Sequence, residues 1–142
     1  IDEAIVAMGA EALGAMQVLL DSTVAYTKTR EQFGQRIGNF QALQHRMADM
    51  YLKLEELRSL LFNAAIQVDA NSDEVASACA ALKVKIADAG KFISQQAVQL
   101  HGGIGMTDEY DIGFYIKRAR PAAMLFGDYS YHGDRFALLS GY

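Results

Sequence analysis

The sequence has one cysteine and one proline in 142 residues. A lone Cys79 excludes an internal disulfide framework and fits a reducing compartment, so a cytoplasmic location is expected. Within a helical, alanine-rich stretch it reads as a small core residue. A single proline, Pro121, leaves room for long, uninterrupted helices. Charge of either sign is also scarce. The net charge is −4, with no basic field for nucleic acid. No apolar run approaches the roughly 18 residues of a membrane span, and there is no signal peptide or lipidation motif. No membrane partner is therefore expected. Repeats, low-complexity tracts and alternating strand patterns are missing too. His45, His101 and His132 stand apart, and no pair has metal-ligand spacing. There is no G-x-S-x-G elbow and no cysteine set beside a base. The chain begins at Ile1, without Met, inside a helical pattern. It therefore reads as a piece of a longer polypeptide.

Hydrophobic residues are 51% and charged residues 21% of the chain, which fits one globular domain over 1–142. Ile5, Met8, Ala12, Met16 and Leu19 recur at helical spacing and predict a helix to about residue 29. Gly9 and Gly14 on it suggest close approach by another helix or a ligand. A second helix over about 40–70 carries Leu43, Met47, Met50, Leu54, Leu57, Leu61 and Ala65, with Asn39 as N-cap. Ser72 or Asp73 would cap a third, over about 73–100, with Ala76, Ala80, Val84, Ala87, Phe92 and Val98 inward. A fourth covers about 111–120, with Pro121 at its end or at a kink. A fifth covers about 129–139. The expected fold class is all-α, an antiparallel helical bundle.

Two blocks, about seventy residues apart, interrupt this pattern. The first runs from Arg30 through Phe33-Gly34, Ile37-Gly38 and Phe40-Gln41. The second runs from Gln99-Leu100-His101-Gly102-Gly103-Ile104-Gly105 through Met106-Thr107-Asp108-Glu109-Tyr110. The second fails as a dinucleotide fingerprint, because it follows a helix and lacks the G-x-G-x-x-G spacing. It is either a helix stop or a backbone kept bare so that a flat ligand can lie on it. Arg30 is either a cation favoured at a helix C-terminus or a fork for a phosphate. Phe33 is either a core plug or a stacking surface. The run Asp108-Glu109-Tyr110-Asp111 reads as a solvated helix N-terminus.

The blocks resemble the cofactor-contacting segments of the C-terminal helical domain of acyl-CoA dehydrogenases. Arg-x-x-Phe-Gly-x-x-Ile-x-x-Phe-Gln, followed by Met47-Ala48-Asp49-Met50, looks like the first signature. Gln99-x-x-Gly102-Gly103-x-Gly105, with Glu109-Tyr110, looks like the second. Lys117-Arg118-Ala119-Arg120 sits where the family has an Arg-Asp-Ala segment. The resemblance implies FAD bound between subunits. Arg30 would meet the pyrophosphate, and Gln32 and Phe33 would line the nucleotide. Ile37, Phe40 and Leu43 would lie near the adenine side. Gln99, Leu100, Gly102 and Gly103 would meet the ADP part. It further implies an acyl-CoA substrate, α,β-dehydrogenation, a homo- or hetero-tetramer with a related subunit, and electron-transfer flavoprotein as acceptor.

The sequence departs from the family at the base. The family's usual glutamate, in a Tyr-Glu-Gly-Thr segment, falls on Phe126 or Gly127 of Met124-Leu125-Phe126-Gly127-Asp128-Tyr129. Its alternative place on the first helix falls near Ala4, with Ile5 where an arginine is often found. Asp128 is the nearest carboxylate candidate, one or two positions off and one methylene shorter. The tail from Leu125 to Arg135 resembles small subunits of heteromeric bacterial acyl-CoA dehydrogenases of the pimeloyl-CoA and steroid side-chain types. In such assemblies one subunit lacks the base and still helps build the flavin site. The alternatives are a self-sufficient homotetramer using Asp128, or a base elsewhere in the longer chain, and a non-catalytic flavoprotein scaffold.

Overall fold

In the computed structural model, residues 1–107 and 110–142 are described. Five helices carry the architecture: α1 Asp2–Thr29, α2 Gln41–Asp69, α3 Val75–His101, α4 Ile112–Met124 and α5 Tyr129–Leu139. Side-chain contacts fix their directions. Thr27 meets Met47, and Gln17 meets Arg58, so α1 and α2 run antiparallel. Arg46–Gln96, Lys53–Asp88 and Lys85–Glu56 give the same sense for α2 and α3. Consequently α1 and α3 run parallel, and their C-termini share one end of the bundle. The antiparallel bundle expected from periodicity is thus the fold.

The α1 stripe Ile5, Met8, Ala12, Met16 and Leu19 is buried, as its spacing requires. On α2 the buried set is Met50, Leu54, Leu57, Leu61 and Ala64. Leu43 and Met47 pack half-buried against the core, while Ala65 lies one position off it. On α3 only Ala80 of the expected inward residues is fully buried. The core stripe is instead Cys79, Leu82, Ile86, Ala89, Ile93, Ala97 and Leu100. The reason is topological. This helix packs against α1, α2, α4 and α5, so most of its circumference is partly covered and the sequence shows no single polar face. Burying such a stripe contributes roughly 1.5–3 kcal/mol per large side chain.

Gly9 does mark a close approach. A Cβ there would meet Leu82 and Leu61 side chains at 3.1 and 3.2 Å, whereas one on Gly14 would meet nothing. Asn39 does not cap α2. The cap is Phe40, with no side-chain bond, after a short 3-10 turn over Ile37–Asn39. Glu74 is the N-cap of α3, and Ser72 Oγ accepts from the Glu74 N–H. α4 continues through Pro121 to Met124. Pro121 is exposed near the helix end, so the carbonyl it leaves unpaired can meet water. One element was not expected at all. Glu31–Gln32 (β1) and Gln35–Arg36 (β2) pair as a small antiparallel hairpin. Finally, α1 is long and apolar enough by length and composition to cross a membrane, with a mean hydropathy of 1.4 over 18 residues, where the sequence reading expected no such run. Half of that window is buried against the bundle.

Candidate nucleotide-facing groove

The parallel course of α1 and α3 brings the two blocks together. The first leaves the C-terminus of α1, and the second leaves the C-terminus of α3 at the same end. Between them lies a groove of about 390 Å³, lined by Tyr26, Arg30, Gln32, Ile37, residues 99–103 and Ile104. Seven residues singled out in the sequence meet there: Arg30, Gln32, Ile37, Gln99, Leu100, Gly102 and Gly103. Phe33, Phe40 and Leu43 do not line its wall. Leu43 serves the core instead.

Local chemistry explains the shape. Phe33 and Gly34 are both left-handed, at φ 56° and 77°, as a two-residue hairpin turn with right-handed strand twist demands. Phe33 is 91% exposed, with its ring edge-on to Phe40 at 6.2 Å. The core-plug reading is therefore wrong. A strained, solvent-facing aromatic at a hairpin tip has no packing reason within this chain. The glycines divide by role. A Cβ on Gly38 would meet the Thr27 carbonyl oxygen at 2.9 Å, and one on Gly105 would meet His101 Cβ at 2.9 Å. Those two serve packing. Gly102 stops α3 at φ 64°, as expected of a helix stop. Gly103 has neither a left-handed φ nor a neighbour within 4 Å of a built Cβ. Nothing in the fold requires its bareness, and it opens onto the groove.

One groove residue, Tyr26, escaped the sequence reading. Tyr26 stacks on His101, with ring centroids 4.4 Å apart and planes at 24°. Tyr110 meets both edge-on, while Asp108 and Glu109, the latter part of the second signature, lie outside the described residues. His101 is buried, with Nδ1 2.8 Å from the Ala97 carbonyl oxygen. A carbonyl only accepts, so Nδ1 carries the hydrogen. Burial lowers the His101 pKa from its ordinary 6.5, and the Ala97 bond opposes this. His132 on α5 is likewise buried with its pKa lowered. Both are neutral in the fold, whereas the unfolded chain takes up protons first as pH falls. Their contribution is complete above about 6.5 and is lost as pH drops through the window below it. Urea titrations at pH 7 and pH 5 should therefore show a lower midpoint at pH 5. An unchanged midpoint in a variant carrying Gln at both positions would assign the effect to these rings.

The base position looks different. Phe126 and Gly127 are both left-handed, at φ 62° and 109°. Asp128 lines a separate cleft of about 740 Å³ with Gly90, Lys91, Ser94, Ala119 and Arg120. Its carboxylate accepts from the Tyr131 N–H at 2.9 Å and so caps α5. Its carboxylate oxygen Oδ1 is thus engaged by the backbone of this chain. Among the described residues there is no group of three metal-ligating side chains.

Residues 2–137 match the family model described as "Acyl-CoA dehydrogenase, C-terminal domain". The chain belongs to the acyl-CoA dehydrogenase family. The acyl-CoA dehydrogenase IpdE2 of Mycolicibacterium smegmatis is 43% identical over 126 residues, which is 89% of this chain and 39% of that protein. Among solved structures, the ChsE4–ChsE5 complex from Mycobacterium tuberculosis superposes with a TM-score of 0.92 at 29% identity. It covers 99% of this chain and 38% of that one. The FAD complex of PigA gives 0.88 at 29%, covering 94% and 34%. This acyl-CoA dehydrogenase domain thus spans well under half the length of the proteins it matches.

Proposed function

We propose that the chain is the C-terminal helical domain of a longer, FAD-dependent acyl-CoA dehydrogenase subunit. It supplies the nucleotide-facing groove and part of an oligomer interface, and a related partner subunit carries the base. The supporting observation is the meeting of Arg30, Gln99, Gly102 and Gly103 in one groove, while the base position holds Phe126 and Gly127. The groove fits FAD on its own chemistry. Arg30 offers a planar fork of donors to a pyrophosphate. The unencumbered Gly103 lets backbone come close to a flat ligand. FAD would supply the acceptor for hydride leaving the β-carbon of an acyl-CoA thioester. This chain's residues would bind and orient the nucleotide, with electron-transfer flavoprotein as the electron acceptor and the cytoplasm as location. The likeness to the two-component ChsE4–ChsE5 complex supports the heteromeric reading.

A second reading, a self-sufficient homotetramer, rests on Asp128 lining the larger cleft. Anaerobic bleaching of the flavin by a panel of acyl-CoAs separates the two. The full-length chain alone should not bleach, and the full-length chain with its partner should. Bleaching by the chain alone, lost in Asp128→Asn, would establish the homotetramer instead. Flavin that stays oxidised in both would leave a non-catalytic scaffold.

A further inference from the structure

The loop between α4 and α5 places two left-handed residues back to back, Phe126 and Gly127. Polar side chains hold it from several sides. His132, buried on α5, sets Nε2 2.8 Å from the Phe126 carbonyl oxygen. That oxygen only accepts, so Nε2 donates and Nδ1 keeps its lone pair. Nδ1 is buried and has no partner among the described residues. Lys83, fully buried on α3, donates to the carbonyl oxygens of Ala122 and Ala123, at 2.8 and 3.1 Å, in the last turn of α4. Asp128 caps α5 through the Tyr131 N–H, and the Tyr131 ring lies edge-on to His132 at 5.0 Å. Arg135 on α5 donates to both carboxylate oxygens of Asp2 on α1, at 3.0 and 3.3 Å.

The groups acting on His132 are therefore two cations, Lys83 and Arg135, and one carboxylate, Asp2, already engaged by Arg135. Asp128 acts on Lys83. Such a pocket tolerates a neutral imidazole and opposes an imidazolium. We propose that the α4–α5 loop is a proton-released latch: neutral His132 pins the Phe126–Gly127 turn, and a proton on Nδ1, buried there with no acceptor among the described residues, is accommodated only when the ring leaves its pocket and takes the turn with it. Burial first, then Lys83 and Arg135, lower the His132 pKa from its ordinary 6.5, against the raising effects of the Phe126 bond and Asp2. The latch thus stays shut at neutral pH and opens on the acid side. Met124, Asp128 and Tyr129 line the larger cleft, so release of the turn reshapes that cleft. The device stands apart from the flavin reading, because every contact in it lies within this chain.

Amide hydrogen exchange tests it in the full-length protein, with its partner if one co-purifies. Exchange over residues 124–128 is followed from about pH 7.5 to about pH 5 and referenced to the same peptides unfolded. Protection there should fall, by at most tenfold per pH unit, as pH drops from about 6.5, the ordinary imidazole value, toward the lowered titration of the closed state, and level off below it, as linkage of one proton requires. The centre of α3 should not change. His132→Gln, which cannot take the proton, should abolish the dependence. In the wild type, the His132 ring signals should titrate where the loss of protection levels off. Flat loop protection would overturn the latch, as would a protonated His132 beneath a still-protected loop. An unchanged pH dependence in His132→Gln would do the same, and if that variant does not fold, the wild-type comparison decides alone.

Discussion

Arg30→Glu in the full-length chain is expected to abolish retention of flavin through purification while leaving the fold intact. The two effects separate because Arg30 is exposed, caps α1 through its backbone, and forms no ion pair among the described residues. Surface substitutions of this kind usually change stability by no more than about 0.5 kcal/mol. A charge-assisted bond to an anion contributes roughly 1.5–3 kcal/mol, and reversing the charge adds repulsion. A loss of affinity of about a hundredfold or more follows. The ratio of flavin to protein absorbance measures the first effect and thermal unfolding of the apoprotein the second. Gly103→Ala is the milder companion. Its Cβ meets nothing within 4 Å, so the apoprotein should melt as before, while flavin binds less tightly. Full flavin occupancy in Arg30→Glu would remove the groove from the cofactor site.

The groove was legible in the sequence because its parts lie where helices must stop. Once three long helices alternate in direction, the segment after the first and the segment after the third share an end of the bundle, whatever their separation in sequence. The hairpin was not legible. Glu31, Gln32, Gln35 and Arg36 are all exposed polar residues with no inward–outward alternation. The pairing is set by the Phe33–Gly34 turn alone. Periodicity located α1 and α2 well, since each buries one stripe. It misplaced the α3 stripe, since a helix packed on several sides has no clear polar face to give the phase.

Lys83 and His132 were hidden for a related reason. Each is an ionisable residue at a buried phase of its helix, and sequence alone does not distinguish that from a slightly rotated solvated face. Their burial makes sense only when the α4–α5 turn supplies carbonyl acceptors. Lys83 also leaves a signature at high pH. Burial lowers its pKa from 10.5 to about 8, while Asp128 opposes the shift. The unfolded chain holds the proton that the fold gives up, so this residue's contribution improves as pH rises from about 8 to about 10.5.

Gly127→Ala is expected to be among the most damaging single substitutions in the domain. Two costs fall at one place. Gly127 sits at φ 109°, a conformation that costs an L-residue about 1–3 kcal/mol. A built Cβ would lie 2.6 Å from Tyr131 Cδ1 and 2.7 Å from His132 Nε2. His132 is buried and cannot swing away without breaking its bond to the Phe126 carbonyl. Forcing a methyl into such packing costs about 1–3 kcal/mol more. The sum, roughly 4 kcal/mol, is a large share of a typical domain's stability. Denaturant unfolding of the full-length protein should show it as a lowered midpoint. Gly133→Ala, on the adjoining helix α5, is the control, since its Cβ meets nothing within 4 Å and alanine favours the helix. If both substitutions are neutral, the turn is not held as the contacts of His132 indicate. Loss confined to Gly127→Ala would place the strain of this domain at the α4–α5 turn that His132 holds.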